Sequence, residues 1–221
     1  LSYSIVSGPG VGDSTTGEYT FAALQEHVGS NEVIVEVSDL AGASVLDTFM
    51  IEVLNVNDTP VVAGSVADTT TLEDELFTSE IPDSLFTDAD GETLVWTLAG
   101  PSWLTLNNDS GHVVSGTPTN ADVGEHEYVL TATDSAGQTA VDTFIVTVLN
   151  MNDTPTVVAI SDTTMMEKET MLISVMGSDI DMGDTLSYAL LLGPGMLDAI
   201  TGEYTFEAMQ EHVGFNEVIV E

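Results

Sequence analysis

Asparagine and aspartate side chains cluster twice in this sequence, in segments that share the pattern Leu-Asn-x-Asn-Asp-Thr-Pro. Linker 1 spans residues 54–60 and linker 2 spans residues 149–155. The asparagines and aspartates of the pattern are Asn55, Asn57, Asp58, Asn150, Asn152 and Asp153. In an extended segment, residues i and i+2 point to the same side, so the two asparagines of a linker face one way and the aspartate the other. Each linker therefore carries the residues of a hard-cation site that offers oxygen ligands to both flanking segments.

Three further acidic elements recur along the chain. They are Glu73 and Glu167, the Asp-x-Asp pairs Asp88 with Asp90 and Asp179 with Asp181, and the late-loop residues Asp39 and Asp134. Ca²⁺ accepts about six to eight oxygen ligands in irregular geometry, whereas Mg²⁺ requires a tight octahedron and zinc or copper favours His or Cys. The pattern thus favours Ca²⁺ over these metals. Because Asp and Asn are also common turn and cap residues, ordinary loop roles are the alternative.

The charge of the chain is strongly one-sided. Its formal net charge is −36, and Lys168 is the single residue among Lys and Arg. Nucleic acids and anionic membrane surfaces select for Lys and Arg, so neither is expected as a partner. Crowded carboxylates repel one another, and either bound divalent cations or screening by concentrated salt would offset this repulsion. An acidic surface suited to a halophilic or marine organism is therefore the alternative to specific cation binding.

Cysteine is absent from the 221 residues, and 43% of them are hydrophobic. The chain therefore has enough apolar residues for a core, but neither a disulfide framework nor a thiolate metal site. No apolar run is long enough to span a bilayer, and no signal peptide is recognisable. The sequence starts and stops inside strand-like patterns, so we expect it to be a window from a longer chain.

A long internal repeat organises the chain. Residues 1–36 match residues 186–221 without a gap, and 25 of the 36 positions are identical. The middle of the chain follows the same plan more loosely. We therefore predict the C-terminal part of a first domain in residues 1–58 and a complete second domain in residues 59–153. The N-terminal part of a third domain, homologous to the first, is predicted in residues 154–221.

Strand-like patterns predict an all-β chain. Short runs rich in Val, Ile, Thr and aromatic residues alternate between two faces, as in residues 33–37 and 128–133. Gly, Pro, Asn and Asp bound these runs, and no stretch has a convincing helical period. The two linkers lie 95 residues apart (149 − 54). Several short strands in a unit of this length predict tandem antiparallel β-sandwich domains of Ig-like type.

Several motifs of the middle domain resemble the bacterial cadherin-like repeat family, which includes the dystroglycan-type cadherin-like and putative-Ig repeats of large surface proteins. The motifs are residues 85–94 (LFTDADGETL), 101–106 (PSWLTL), 116–124 (GTPTNADVG), 132–137 (ATDSAG) and the two linkers. The flanking domains match through their Asp-x-Asp, Ser-Asp and linker segments. The resemblance implies an extended extracellular array of cadherin-like sandwiches, stiffened by Ca²⁺ bound at the domain junctions.

By position, the resemblance assigns ligands to two junctions. The first junction receives Asn55, Asn57, Asp58, Asp88, Asp90 and Asp134. The second receives Glu73, Asp122, Asn150, Asn152, Asp153, Asp179 and Asp181. Asp39 and Glu167 hold equivalent places in the flanking domains. The first asparagine of each linker, Asn55 or Asn150, stands where the family usually has Asp. Either Gln25-Glu26-His27 or Asp122 replaces the Asp-Arg-Glu element of animal cadherins. With fewer charges, we expect at least one Ca²⁺ per junction but not three.

The leading hypothesis is a structural repeat segment of a long, Ca²⁺-stiffened surface adhesin or filament. Its partners would be neighbouring repeats of the same chain and other copies in a filament. The alternative is a module in which one domain type recognises a glycan or a cell-surface protein. Trp96 and Trp103 could stack on sugars, although tryptophan in a sandwich is more often part of the core. An enzyme is not expected, since the acidic pairs recur from domain to domain and no His lies in a nucleophile-base pattern.

Overall fold

The computed structural model describes residues 1–109 and 111–221, and strands form most of their regular structure. The strands in chain order are β1 Ser2–Ser7, β2 Val11–Gly12, β3 Tyr19–Thr20, β4 Gly29–Ser38, β5 Ser44–Val53, β6 Val61–Val62, β7 Thr69–Leu72, β8 Phe77–Ile81, β9 Phe86–Thr87, β10 Val95–Ala99, β11 Thr105–Asn107, β12 His112–Gly116, β13 Gly124–Thr133, β14 Thr139–Leu149, β15 Thr156–Val157, β16 Thr170–Ser174, β17 Gly177–Ser178, β18 Leu190–Leu192, β19 Met196–Leu197, β20 Glu203–Glu207 and β21 Ile219–Val220. Short 3-10 turns lie at η1 Gln25–His27, η2 Asp83–Leu85, η3 Asn120–Asp122 and η4 Gln210–His212.

The residues of the chain group into two compact units. Unit 1 contains Leu1–Thr69, Thr78–Gly116 and His126–Val146, and unit 2 contains Thr70–Phe77, Thr117–Glu125 and Thr147–Glu221. This grouping follows spatial proximity rather than the sequence repeat. The domain boundaries after residues 58 and 153 therefore stay predictions.

The N-terminal residues of unit 1 form an antiparallel sheet in the order β1-β4-β5. β4 and β5 pair in continuous register over all ten residues of each strand. Asp39 closes the turn between them, because its Oδ1 accepts hydrogen bonds from the N–H groups of Ala41 and Ala43, each at 2.9 Å. Val33 of β4 is fully buried. The strand predicted in residues 33–37 is therefore present, with residues 34–37 half-buried beside Val33.

Unit 1 also contains the largest set of buried residues. β10, β13 and β14 are neighbours in one sheet, and β11, β12 and β8 form another. Along β13, Tyr128, Leu130 and Ala132 are fully buried, and the residues between them are half-buried. Tyr128 stacks on Phe144 of β14 with ring centroids 5.5 Å apart. The apolar face predicted in residues 128–133 thus forms part of the core.

Unit 2 has a smaller core. β16, β20 and β19 form a sheet in which β20 is central. Tyr204, Phe206 and Ala208 are buried. The partly buried hydrophobic residues packed against them are Met165, Met171, Ile173, Leu190 and Leu197.

The sequence repeat is matched by repeated local structure. β1 pairs with β4 and β18 pairs with β21, and both pairs have a register shift at equivalent positions. The hydroxyl of Tyr19 donates to the carbonyl oxygen of Pro9 at 2.6 Å, and Tyr204 donates to Pro194 at 2.6 Å. Identical side chains at equivalent positions therefore make the same contacts in the two units.

The prediction of an all-β fold is confirmed. Across residues 1–109 and 111–221, no helical segment has the length and apolar character that crossing a membrane requires.

Replacing Phe144 with alanine should lower the free energy of unfolding by about 3–5 kcal/mol, because a ring that is 2% exposed is lost and a cavity remains beside Tyr128. Urea unfolding followed by tryptophan fluorescence measures the change. Val141→Ala is the matched control, since this side chain of β14 is 49% exposed, and it should leave the midpoint almost unchanged. Equal midpoints for the two variants would contradict the packing described for β14.

Candidate metal sites

Each linker reaches an Asp-x-Asp loop because the neighbouring strands pair. β6 follows linker 1 and pairs with β9, which directly precedes Asp88 and Asp90. In the same way, β15 follows linker 2 and pairs with β17, which directly precedes Asp179 and Asp181. In an antiparallel pair the start of one strand lies beside the end of the other. Linker and loop therefore meet at a first junction, within unit 1, and at a second junction, within unit 2.

Hydrogen bonds connect linker 1 to the loop at the first junction. The N–H of Asp58 donates to Oδ2 of Asp90 at 2.7 Å, and Nδ2 of Asn57 donates to Oδ2 of Asp134 at 2.9 Å. Within the loop, the N–H of Asp90 donates to Oδ1 of Asp88 at 2.8 Å. The structure thus brings together five of the six residues assigned to this junction by the resemblance.

Three carboxylates converge at the first junction. One oxygen from each of Asp88, Glu92 and Asp134 lies within 4.8 Å of the others, and we call these residues the first acidic group. Oδ2 of Asp88 is buried and has no hydrogen-bond partner among the described residues. Oε1 of Glu92 accepts a hydrogen bond from the N–H of Ser135 at 3.1 Å, which holds it toward the group. The arrangement can supply three charged oxygen ligands to one cation.

Asp134 is held in its charged form. The amide of Asn57 makes the largest contribution to lowering the pKa of Asp134, burial of the group opposes it, and backbone N–H groups beginning with Gln138 lower it further. Because this pKa is lowered in the folded state, the ionised carboxylate stabilises the fold above the ordinary aspartate pKa of about 3.9. That contribution is lost as the pH falls through the lowered value. At neutral pH Asp134 is therefore an ionised potential ligand.

The second junction repeats the contacts of the first. The N–H of Asp153 donates to Oδ2 of Asp181 at 2.7 Å, and the N–H of Asp181 donates to Oδ1 of Asp179 at 2.9 Å. Nδ2 of Asn152 donates to the carbonyl oxygen of Asp153 at 2.7 Å, as its counterpart does in linker 1. The two junctions therefore share one hydrogen-bonding scheme.

A second acidic group consists of Glu73, Asp74 and Asp153, with one oxygen from each within 4.8 Å of the others. Glu73 is 0% exposed, and its Oε1 accepts a hydrogen bond from the N–H of Met151 at 2.7 Å. Its Oε2 has no hydrogen-bond partner among the residues that the structure describes. Asp74 adopts a left-handed φ of 59°, and its N–H donates to the carbonyl oxygen of Pro118 at 2.8 Å. Because a buried, unpaired carboxylate oxygen is costly, Glu73 points to a missing positive partner.

A third acidic group, Asp179, Asp181 and Asp184, lies in the loop of the second junction, again with oxygens within 4.8 Å. Burial raises the pKa of Asp153, and neighbouring carboxylates raise it further in the order Asp181, Asp74, Glu73 and Asp179. Protonated Asp153 therefore favours the fold below the ordinary pKa, and this contribution is lost as the pH rises through the raised value. A divalent cation would relieve the same repulsion at neutral pH.

Two amide side chains that were not predicted as site residues reach the junctions from 3-10 turns, although Gln25 lies in a segment that the resemblance had singled out. Nε2 of Gln25 in η1 donates to Oδ1 of Asn55 at 3.2 Å and to Oδ1 of Asp90 at 3.0 Å. Nδ2 of Asn120 in η3 donates to Oδ1 of Asn150 at 3.5 Å and to Oδ1 of Asp181 at 3.2 Å. We call these two sets of contacts the amide bridges. Through them Asn55 and Asn150 join the other predicted residues of their junctions.

Three acidic residues of the groups were also missed by sequence reasoning. They are Asp74, Glu92 and Asp184. Asp74 directly follows Glu73, Glu92 lies two positions after an Asp-x-Asp pair, and Asp184 lies three positions after one. Their closeness in sequence to predicted ligands was the signal that could have identified them.

Glu26 and Asp122, the predicted ligands on 3-10 turns, make local contacts. The exposed Glu26 lies 3.9 Å from Nε2 of His27. Oδ2 of Asp122 accepts hydrogen bonds from the N–H and the hydroxyl of Thr119, both at 2.8 Å, and so caps its own turn. Their assignment as ligands stays a prediction.

Asp39 and Glu167, the predicted ligands of the flanking domains, lie outside the three acidic groups. Asp39 is exposed in the turn between β4 and β5. Glu167 lies 3.7 Å from Nζ of Lys168. Their assignment as ligands stays a prediction.

Both tryptophans contribute to packing. Trp96 is 6% exposed, and its ring stacks on His112 at 3.8 Å and meets Phe86 edge-on at 4.8 Å. The half-buried Trp103 meets Tyr128 edge-on at 5.8 Å. Trp96 therefore belongs to the core.

Comparison with protein families finds one match, between residues 59–149 and the family He_PIG, described as Putative Ig domain. Comparison with curated proteins finds no match.

Solved cadherin structures match almost the whole chain. Human CDH23 EC21-23 is 18% identical with a TM-score of 0.59, and the match covers 99% of this chain and 87% of that one. Protocadherin Gamma B2 extracellular cadherin domains 1-5 are 14% identical with a TM-score of 0.58, over 99% of this chain, which spans about half (48%) of that one. An endo-fucoidan hydrolase, of which this chain spans 36%, has a TM-score of 0.42, too low to carry an argument. The chain therefore has the fold of cadherin-like, Ig-type tandem repeats.

Burial and then neighbouring carboxylates raise the pKa of Asp153, and this pKa should fall when Ca²⁺ is added, because the ion's charge offsets those carboxylates. Carbon-13 NMR titration of the aspartate carboxylates, in EDTA and in Ca²⁺, measures this change. Asp198 is the control, because it lies outside the acidic groups. Its pKa is lowered mainly by a hydrogen bond from the N–H of Thr201, so Ca²⁺ should leave that pKa unchanged. An Asp153 pKa that is the same in both solutions would contradict cation binding at the second acidic group.

Proposed function

We propose that this chain is a segment of a long extracellular surface protein in which Ca²⁺ ions bind at the junctions between consecutive β-sandwich domains and stiffen them. The fold and the match of residues 59–149 support a cadherin-like, Ig-type repeat of adhesion type. The observation that carries the metal proposal is Glu73, which is fully buried with Oε2 unpartnered among the described residues.

The chain has almost no positive charge of its own to meet these carboxylates. A buried ionised carboxylate is unfavourable unless it is paired or binds a metal. Lys168 is the only Lys or Arg, and its Nζ lies beside Glu167. The buried Oδ2 of Asp88 presents the same need at the first junction. A cation bound at each junction would supply the positive partner that Oε2 of Glu73 and Oδ2 of Asp88 lack among the described residues.

The donor set favours Ca²⁺. The three acidic groups consist of carboxylates alone, and the chain has no cysteine. Linker amides and backbone carbonyls add further oxygen donors. Oxygen-only ligation disfavours zinc and copper, and a site with several protein carboxylates suits Ca²⁺ better than Mg²⁺, which usually keeps several waters. The first acidic group would hold an ion at the first junction, and the second and third groups would hold ions at the second junction.

A bound ion would stiffen a junction by joining linker and loop through shared ligands. Without it, the carboxylates around Asp153 repel one another, and this repulsion adds to the effect of burial in raising the pKa of Asp153. Neighbouring repeats of the same chain are then the principal partners, and other copies in a filament are further ones. Because the same hydrogen-bonding scheme occurs at both junctions, it suits a structural ion rather than a single catalytic centre.

Glu73→Gln should weaken Ca²⁺ binding at the second junction by roughly tenfold or more, since even outer-shell changes at metal sites typically cost about 10–100-fold. Isothermal titration calorimetry of the whole chain measures the affinity. Glu75→Gln makes the same charge change at an exposed position two residues away and should bind like the wild type. Identical affinities for both variants and the wild type would remove Glu73 from the ligand set.

Chelation should make the junctions more mobile. Small-angle X-ray scattering of the chain in Ca²⁺ should fit a narrower range of conformations than scattering in EDTA. A sample in EDTA with NaCl at matched ionic strength separates ion binding from screening of the acidic surface. If NaCl reproduces the effect of Ca²⁺, or if Ca²⁺ has no effect, the proposed function is wrong.

A further inference from the structure

The amide bridges place neutral donors among carboxylates at both junctions. Gln25 and Asn120 each contact one linker asparagine and one aspartate of an Asp-x-Asp loop, at 3.0–3.2 Å and 3.2–3.5 Å respectively. In the predicted domain division, each amide belongs to the domain before the linker and each aspartate to the domain after it. In that division, each amide side chain thus connects the domain before the linker with both the linker and the domain after it.

The aspartates that receive the amide bridges use both of their oxygens. Oδ1 of Asp90 accepts from Gln25, and its Oδ2 accepts from the N–H of Asp58. Asp181 has the same arrangement, with Asn120 on Oδ1 and the N–H of Asp153 on Oδ2. The buried oxygens of Glu73 and Asp88 instead lack such partners among the described residues. Protein donors thus reach both oxygens of Asp90 and Asp181, whereas Glu73 and Asp88 each keep one buried oxygen without such a donor in the part of the chain that the structure describes.

Each 3-10 turn is fixed so that its first residue can bridge. In η1, the N–H of Leu24 donates to Nδ1 of His27 at 3.0 Å. In η3, the N–H of Thr119 donates to Oδ2 of Asp122 at 2.8 Å. The third residue of each turn thus caps it, and the first residue, Gln25 or Asn120, extends to the junction. Different capping residues support the same bridging position.

We propose that Gln25 and Asn120 are positioning residues that hold each junction in its native arrangement before a cation binds. The inference rests on the proposed function only in that cations are expected at the same junctions. An amide donates to Asp90 or Asp181 without adding a charge, whereas an acid there would repel them. A hydrogen bond to a charged acceptor favours the closed arrangement by roughly tenfold to a hundredfold.

The test measures closure of the first junction in EDTA. Spin labels on cysteines introduced at the exposed Ser44 and Thr78 report the distance across linker 1, and the chain has no native cysteine to interfere. Gln25→Glu removes the donor and adds a charge, and Gln25→Met removes the donor alone. Pulsed electron paramagnetic resonance should give a distance distribution for the wild type in which the closed distance predominates. Both variants should raise the ratio of open to closed molecules by about tenfold or more, with the larger effect for Gln25→Glu.

Gln210→Glu is the matched control, because Gln210 is the exposed first residue of η4, the equivalent turn in the other copy of the repeat. It makes the same chemical change away from linker 1 and should leave the distance unchanged. Asn120→Asp, with labels on either side of linker 2, repeats the test at the second junction. If both Gln25 variants match the wild type in EDTA, the proposal is overturned.

Adding Ca²⁺ separates the two proposals. Closure of Gln25→Glu by Ca²⁺ supports both the bridge and the metal junction, because an ion then replaces the missing donor. If the Gln25 variants open in EDTA but Ca²⁺ changes neither them nor the wild type, the bridge stands and the proposed function fails.

Discussion

The fold holds carboxylates together at each junction, and the chain has almost no positive charge to neutralise them. The formal net charge is −36, with one residue among Lys and Arg. Backbone hydrogen bonds fix one oxygen of each critical group, since Met151 donates to Glu73 and Asp90 donates to Asp88. The other oxygen of each is buried without a partner among the described residues. Because these groups are fixed in place, the proposed cations would supply the missing positive charge at both junctions.

Strand pairing brings the carboxylates together in the same way at both junctions. The pairs β6–β9 and β15–β17 bring each linker to the loop that follows the second strand of the pair. The same 2.7 Å hydrogen bond from linker aspartate to loop aspartate then forms at both junctions. Linker N–H groups and the amide bridges donate hydrogen bonds to some of the carboxylate oxygens. What remains is a small set of oxygens with the chemistry of a calcium site.

Local patterns allowed much of the fold to be predicted. The strand patterns in residues 33–37 and 128–133 correspond to β4 and β13. Along residues 128–133 of β13 every second residue is buried, which is the period of two that the sequence shows. The linkers and Asp-x-Asp pairs were expected to converge, and the structure brings them together. The ligand assignment itself stays a prediction, since it depends on an ion as well as on side-chain positions.

The remaining features of the site depend on contacts that sequence patterns do not record. Gln25 meets Asp90 across 65 positions, and an amide on an exposed turn has no characteristic motif. Asp122 is suited both to ligation and to capping, and only its contact with Thr119 shows the second role. For Trp96 a core position was favoured over sugar stacking from the sequence, and its burial shows that it belongs to the core. In each case the deciding partner is distant in sequence, or the residue type suits two roles.

The most direct test is anomalous diffraction from crystals of this chain grown with Ca²⁺. The account predicts anomalous peaks with oxygen ligands at about 2.3–2.6 Å that include Oε2 of Glu73 and Oδ2 of Asp88. A structure in which these two oxygens bind only water or protein donors, with no anomalous peak beside them, would contradict it.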